Sequence, residues 1–296
     1  MMQRIELAIA RHPIKAFLII LYPVSWILFI PDLLGKSGFG LIPVDVPYQV
    51  GVLLATIFGL TSIAFLVTRI ADGKEGTRAL RRYYYHFRTG PQWYLLAVLG
   101  GPVLLLLVGL ASQGGSVLGS GQLASHFLTS YLPNLVLVAI LISVWEEGSW
   151  MAFMTRRLQR RWGPVAASLI VAPCFGFLHF PLFFVTGGLI NNGRPQGSQV
   201  FEYAFYLLIL FSVPVRMMIT WVFNSTGGSL PVIALMHASF DTSANLFPTV
   251  DGRWLYLAIA VVVVVVLVIT RGRLGYRGAL AEEAVQPLPP PEPSRA

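Results

Sequence analysis

Long apolar runs recur along the whole chain, separated by short stretches carrying charge, glycine or proline, and none of them alternates polar with apolar positions. Crossing a hydrocarbon core about 30 Å thick takes about 20 mostly apolar residues in a helix. Runs of that kind lie near residues 16–34, 47–68, 93–111, 128–150, 164–185, 201–223, 229–247 and 254–270. A lipid-exposed strand leaves its backbone groups unsatisfied unless a barrel closes, and continuous apolar runs lack the alternation of a barrel strand. The pattern therefore predicts an all-α, polytopic transmembrane helical bundle of about eight spans.

Composition sharpens this. Of 296 residues, 55% are hydrophobic and 11% charged, against about 25% charged in an ordinary soluble domain. A soluble fold has nowhere to hide so much apolar surface, so residues 1–278 read as one membrane domain. Residues 279–296, ending in QPLPPPEPSRA, read as a disordered, Pro-rich cytoplasmic tail with no cysteine for prenylation. The basic N-terminus before the first run lacks a clear small-residue cleavage site and is expected to stay as an anchor. The single cysteine, Cys174, excludes an intramolecular disulfide and any multi-cysteine metal centre.

The net charge of +8 comes from short basic clusters between apolar runs, not from one stripe, so the expected partner is a lipid bilayer and not nucleic acid. Arg4, Arg11 and Lys15, then Arg69 to Arg88, then Arg156 to Arg161, then Arg271 to Arg295 fall on one side of the predicted topology. Lys36, Arg194 and Arg253 fall on the other, and Arg216 lies within a run. The positive-inside rule then puts both termini in the cytoplasm, as an even number of spans requires, and the expected location is the cell membrane. The basic and aromatic stretch from Arg69 to Tyr94 is expected to lie along the cytoplasmic interface as an amphipathic helix.

Ionisable groups inside spans are costly, about 2.5–3.5 kcal/mol each on insertion scales, and mark candidate sites. Here they are Glu146, Glu147, His179, Arg216, His237 and Asp241, with Glu202 at a span edge. At about 1.5 Å of rise per residue, Glu146 lies about 15 Å from Arg156, His179 about 22 Å from Pro164 and His237 about 14 Å from Gly228, so three helices can bring them together. Phe175 and His179, and His237 and Asp241, are four apart and share helix faces. Glu146 and Glu147 differ by about 100°, so one is expected to face the chemistry and the other to brace it. Arg216 either snorkels to the interface or pairs with a buried carboxylate. The same charges could form a transporter's ion pathway, but the chain shows no inverted repeat.

In order and context these residues resemble the CAAX protease and bacteriocin-processing (CPBP, or Abi) family, whose eukaryotic relatives are the type II CAAX prenyl-protein endopeptidases. The resemblance covers a core of about residues 128–247. Its motifs read EEGSWMAFMTRRLQRRWGP from Glu146, FGFLHFPLFF from Phe175, and STGGSLPVIALMHASFD ending at Asp241. It implies an intramembrane endopeptidase acting on a membrane protein or lipidated peptide. Glu146 and His179 would activate water, His237 and Asp241 would occupy the oxyanion-stabilising positions, and Glu147, Phe175 and Arg216 would support them. No cofactor is needed on that reading. Zinc held by Glu146, His179 and His237 is the alternative. One departure from the family pattern is Met151, where an arginine is usual. Either Arg216 substitutes for it, or the chain is a catalytically weakened relative acting as a scaffold or immunity protein.

Overall fold

A computed structural model describes residues 2–44, 46–119, 123–186 and 199–278, and among them every regular element is helical. The Pro-rich segment 279–296 lies outside the described residues. The first two helices, Met2–Arg11 and Pro13–Leu28, meet at 107°. Pro13 opens the second at its first turn, where a missing N–H costs nothing. A short helix, Ile30–Leu34, follows. Then come Tyr48–Tyr84, Pro91–Leu118, Leu123–Leu178 and Val200–Ser225. Leu230–Thr242 and Arg253–Ile269 complete the bundle.

Each of the eight apolar runs falls on helix, yet among the described residues four helices are long and apolar enough to cross a membrane: 48–84, 91–118, 123–178 and 200–225. The bent pair at the N-terminus would make a fifth. The runs near 128–150 and 164–185 belong to one stretch, 123–178, broken by Gly163 at φ 75° and ψ 169°. The run near 229–247 yields a helix of 13 residues, bounded by the Ser229 cap and by a 3-10 turn from Ser243. Ten of those 13 residues are buried, so this segment's apolar character reflects packing against protein. Hydropathy alone does not separate a helix buried in a bundle from one facing lipid.

The basic stretch also differs from a single amphipathic helix. Gly73, at φ 70° and ψ −159°, breaks the 48–84 helix before its basic leg, and the helix ends at Tyr84. Arg78, Arg81, Arg82 and Tyr85 line a cleft of about 560 Å³ there.

Outward faces carry Ile19, Phe201, Val261 and Val268, each at least 66% exposed, an apolar surface suited to lipid and unsuited to water. Inside, Trp150 packs edge-on against Phe17 and Phe175. Helix 230–242 sits centrally, against 91–118, 200–225 and the segment 132–147. It approaches 91–118 closely at Gly101, where a side chain would meet Ser239 and Ser243. Helix 123–178 carries three π-helical segments, Phe127–Tyr131, Ala139–Ser143 and Gly148–Thr155, and another, Ala55–Thr61, lies on 48–84. Such wide turns insert one residue and redirect the side chains beyond them, and they recur at functional sites. Glu146 and Glu147 occupy the short α-helical piece between Ala139–Ser143 and Gly148–Thr155.

Candidate active site

Glu147 is fully buried and its carboxylate is fully engaged. It accepts Arg216 Nη1 at 3.0 Å and Nη2 at 2.7 Å, a two-pronged arrangement matching guanidinium to carboxylate. Its Oε1 also lies 2.6 Å from His237 Nδ1. A carboxylate paired with arginine only accepts, so Nδ1 is the donor in that contact. Arg216 is 0% exposed and its guanidinium stands 4.2 Å over the Phe175 ring. The snorkelling alternative is thereby overturned: the side chain turns inward because a carboxylate and an aromatic face receive it there.

Glu146, 2% exposed, has a different set of neighbours. Its Oε1 accepts the Thr56 hydroxyl at 3.3 Å and lies 3.8 Å from His179 Nε2. His179 Nδ1 is 3.0 Å from the Phe175 carbonyl oxygen, which only accepts, so Nδ1 carries a proton. A neutral His179 therefore turns a bare Nε2 lone pair toward a carboxylate oxygen. Two acceptors 3.8 Å apart are satisfied by a proton donor shared between them.

The third group is His237 with Asp241. His237 Nε2 is 3.6 Å from Asp241 Oδ2, beyond hydrogen-bonding reach. The Asp241 side chain is 34% exposed against 6% for His237, which makes it the open end of the cluster. Phe175 links the parts: its ring centroid is 4.8 Å from that of His179 and 5.9 Å from that of His237.

All seven residues singled out from the sequence thus meet in one cluster. Both glutamates reach it despite their angular separation, because partners arrive from different helices: 48–84 and the end of 123–178 for Glu146, 200–225 and 230–242 for Glu147. Met151 is fully buried with its sulfur 3.4 Å from the Thr155 hydroxyl. The cation beside the acidic pair comes from Arg216, on another helix. Thr56 was not legible as a neighbour of the site, since one threonine in an apolar run is unremarkable.

Among the described residues no three His, Cys, Asp or Glu side chains are grouped to hold a metal ion, so Glu146, His179 and His237 do not form a ligand set as arranged.

Residues 128–243 match the family model described as Type II CAAX prenyl endopeptidase Rce1-like. The chain is also similar to CAAX prenyl protease 2 of Methanococcus maripaludis, 25% identical over 197 residues, covering 62% of this chain and 68% of that protein. No solved structure matches. The matched segment holds every motif residue from Glu146 to Asp241 and the Arg216 that pairs with them. Over residues 128–243, then, this helical chain, with helices long and apolar enough to cross a membrane, is similar to the Rce1-like type II CAAX prenyl endopeptidases.

Proposed function

We propose that this protein is a multi-pass endopeptidase of the cell membrane, with both termini cytoplasmic, that hydrolyses a peptide bond of a lipidated or membrane-associated protein. The observation that carries the reading is the pairing of Glu146 Oε1 with a fixed His179 Nε2 at 3.8 Å, buried on two different segments. A water donating to both acceptors becomes the nucleophile when Glu146 takes its proton. Its oxygen attacks the scissile carbonyl carbon. Stabilising the resulting oxyanion takes a hydrogen-bond donor. A proton held on either His237 Nε2 or Asp241 Oδ2 meets that need, and an ionised Asp241 without it does not. Collapse of the intermediate breaks the C–N bond, and the proton on Glu146 passes to the departing amine. Arg216 neutralises Glu147, which holds His237 in one tautomer and orientation. That arrangement supports the reading in which Arg216 substitutes for the arginine that Met151 replaces.

The matched family model and the relative's name support the substrate class, and Asp241, with its side chain 34% exposed, is the end of the cluster open to an approaching chain. Wild type and Glu146→Ala, expressed at equal levels in cells lacking the native protein, are compared by mass spectrometry of new N- and C-termini. Termini produced by wild type alone are expected, and they identify the substrate. Identical sets from two folded, inserted proteins overturn the reading.

A further inference from the structure

The 48–84 helix lies outside the matched segment 128–243, yet it follows the Glu146 strip closely. The Thr61 hydroxyl donates to the Trp145 carbonyl oxygen at 3.2 Å, and the Tyr84 ring lies 5.6 Å from the Trp145 ring. Five residues before Thr61, Thr56 is 1% exposed and donates to Glu146 Oε1 at 3.3 Å. Thr56 belongs to the π-helical segment Ala55–Thr61, where one wide turn rotates the register relative to the α-helix before it.

We propose that Thr56 is a positioning residue for Glu146. Its hydroxyl holds the carboxylate in the rotamer that turns Oε1 to His179, so the second half of the water-activating pair is set from an element outside the Rce1-like domain. The chemistry requires such a group. Glu147 is clamped by Arg216 and His237, whereas among the described residues Glu146 has no lysine or arginine within salt-bridge distance and has only His179 Nε2 near it, at 3.8 Å. A glutamate with three rotatable bonds and one long contact would otherwise sample orientations that leave the water unactivated, and small misplacements of a reacting group cost heavily in rate. The inference rests on the proteolytic reading above.

The test uses the full chain in lipid nanodiscs with Thr56→Val, which keeps shape and removes the donor, and Thr56→Ser, which keeps the donor. Cleavage of a substrate peptide identified by the terminus comparison gives the kinetic readout. Losing a hydrogen bond to a charged group predicts that Thr56→Val lowers kcat about 10-fold with KM within about twofold of wild type, and that Thr56→Ser retains most of the activity. Thr56→Ala carries the same expectation if valine disturbs packing. A second readout is independent of turnover: infrared spectra of protein containing carbon-13 glutamate, with the Glu146 band isolated by subtracting Glu146→Gln. Its carboxylate stretch is expected to move in Thr56→Val and not in Thr56→Ser. A folded Thr56→Val that cleaves like wild type, or an unmoved Glu146 band, overturns the proposal. A wild type that cleaves nothing overturns the proteolytic reading alone, and the infrared band then decides the role of Thr56.

Discussion

Among the individual side chains, Arg216 carries the largest energetic consequence. A guanidinium and a carboxylate that are both 0% exposed are tolerable only together, since each alone is a bare charge in a low-dielectric interior. Arg216→Met is therefore expected to lower stability by about 3–5 kcal/mol, the cost of stranding one member of a buried pair. Thermal unfolding in detergent measures it, and an unchanged midpoint would contradict the geometry. Met151 supplies the complementary experiment. Met151→Arg alone brings a second cation into a fully buried position and is expected to destabilise. The double variant Met151→Arg with Arg216→Met is expected to be more stable than Arg216→Met alone, because a cation again sits near Glu147. From sequence, Arg216 was legible as an anomaly and not as a partner: the residue it meets is 69 positions away, and a snorkelling arginine has the same local sequence.

Helix contacts carry the next level of order, and glycine sets the closest of them. A Cβ at Gly101 would lie 2.8 Å from Ser239 Oγ and 3.0 Å from the Ser239 carbonyl oxygen. Backbone cannot move aside as a side-chain tip can, so Gly101→Ala must push helices 91–118 and 230–242 apart. Overpacking of this kind costs about 1–3 kcal/mol. Because His237 lies half a turn from Ser239, cleavage is expected to fall as well. A variant as stable and active as wild type would show that the two helices are not in register as described. The runs that build these helices were plain in the sequence, as was the charged interval between the runs near 128–150 and 164–185. The π-helical segments were not, because one inserted residue leaves hydropathy unchanged while turning every later side chain by about 100°. That is why spacing within one helix could not decide how Glu146 and Glu147 share the site.

For the molecule as a whole, the distribution of basic residues predicts its orientation. With Cys174 replaced by serine, single cysteines at Lys36 and Arg253 are expected to react with a membrane-impermeant reagent from outside intact cells. Cysteines at Arg78 and Arg161 are expected to react only after permeabilisation. The reverse pattern would invert the topology and place the open Asp241 end on the other face. Chelators at concentrations that strip zinc are expected to leave cleavage unaffected. Reversible loss restored by zinc would replace the glutamate-activated water with a metal mechanism.

Periodicity and composition pointed to the class of this protein without a structure, since only helices and closed barrels satisfy backbone groups in a bilayer and the apolar runs lack the alternation of barrel strands. They also exposed the candidate site, because an ionisable residue in an apolar run has few explanations. Three matters were left to tertiary structure. Which apolar runs are long enough to span depends on where Gly163 breaks one helix and on how deeply 230–242 is buried. Which basic group neutralises the acidic pair depends on a contact between helices. That Thr56 touches Glu146 depends on the register of two π-helical segments facing each other. Each is a relation between residues distant in the chain, and local pattern holds no record of how distant segments are oriented.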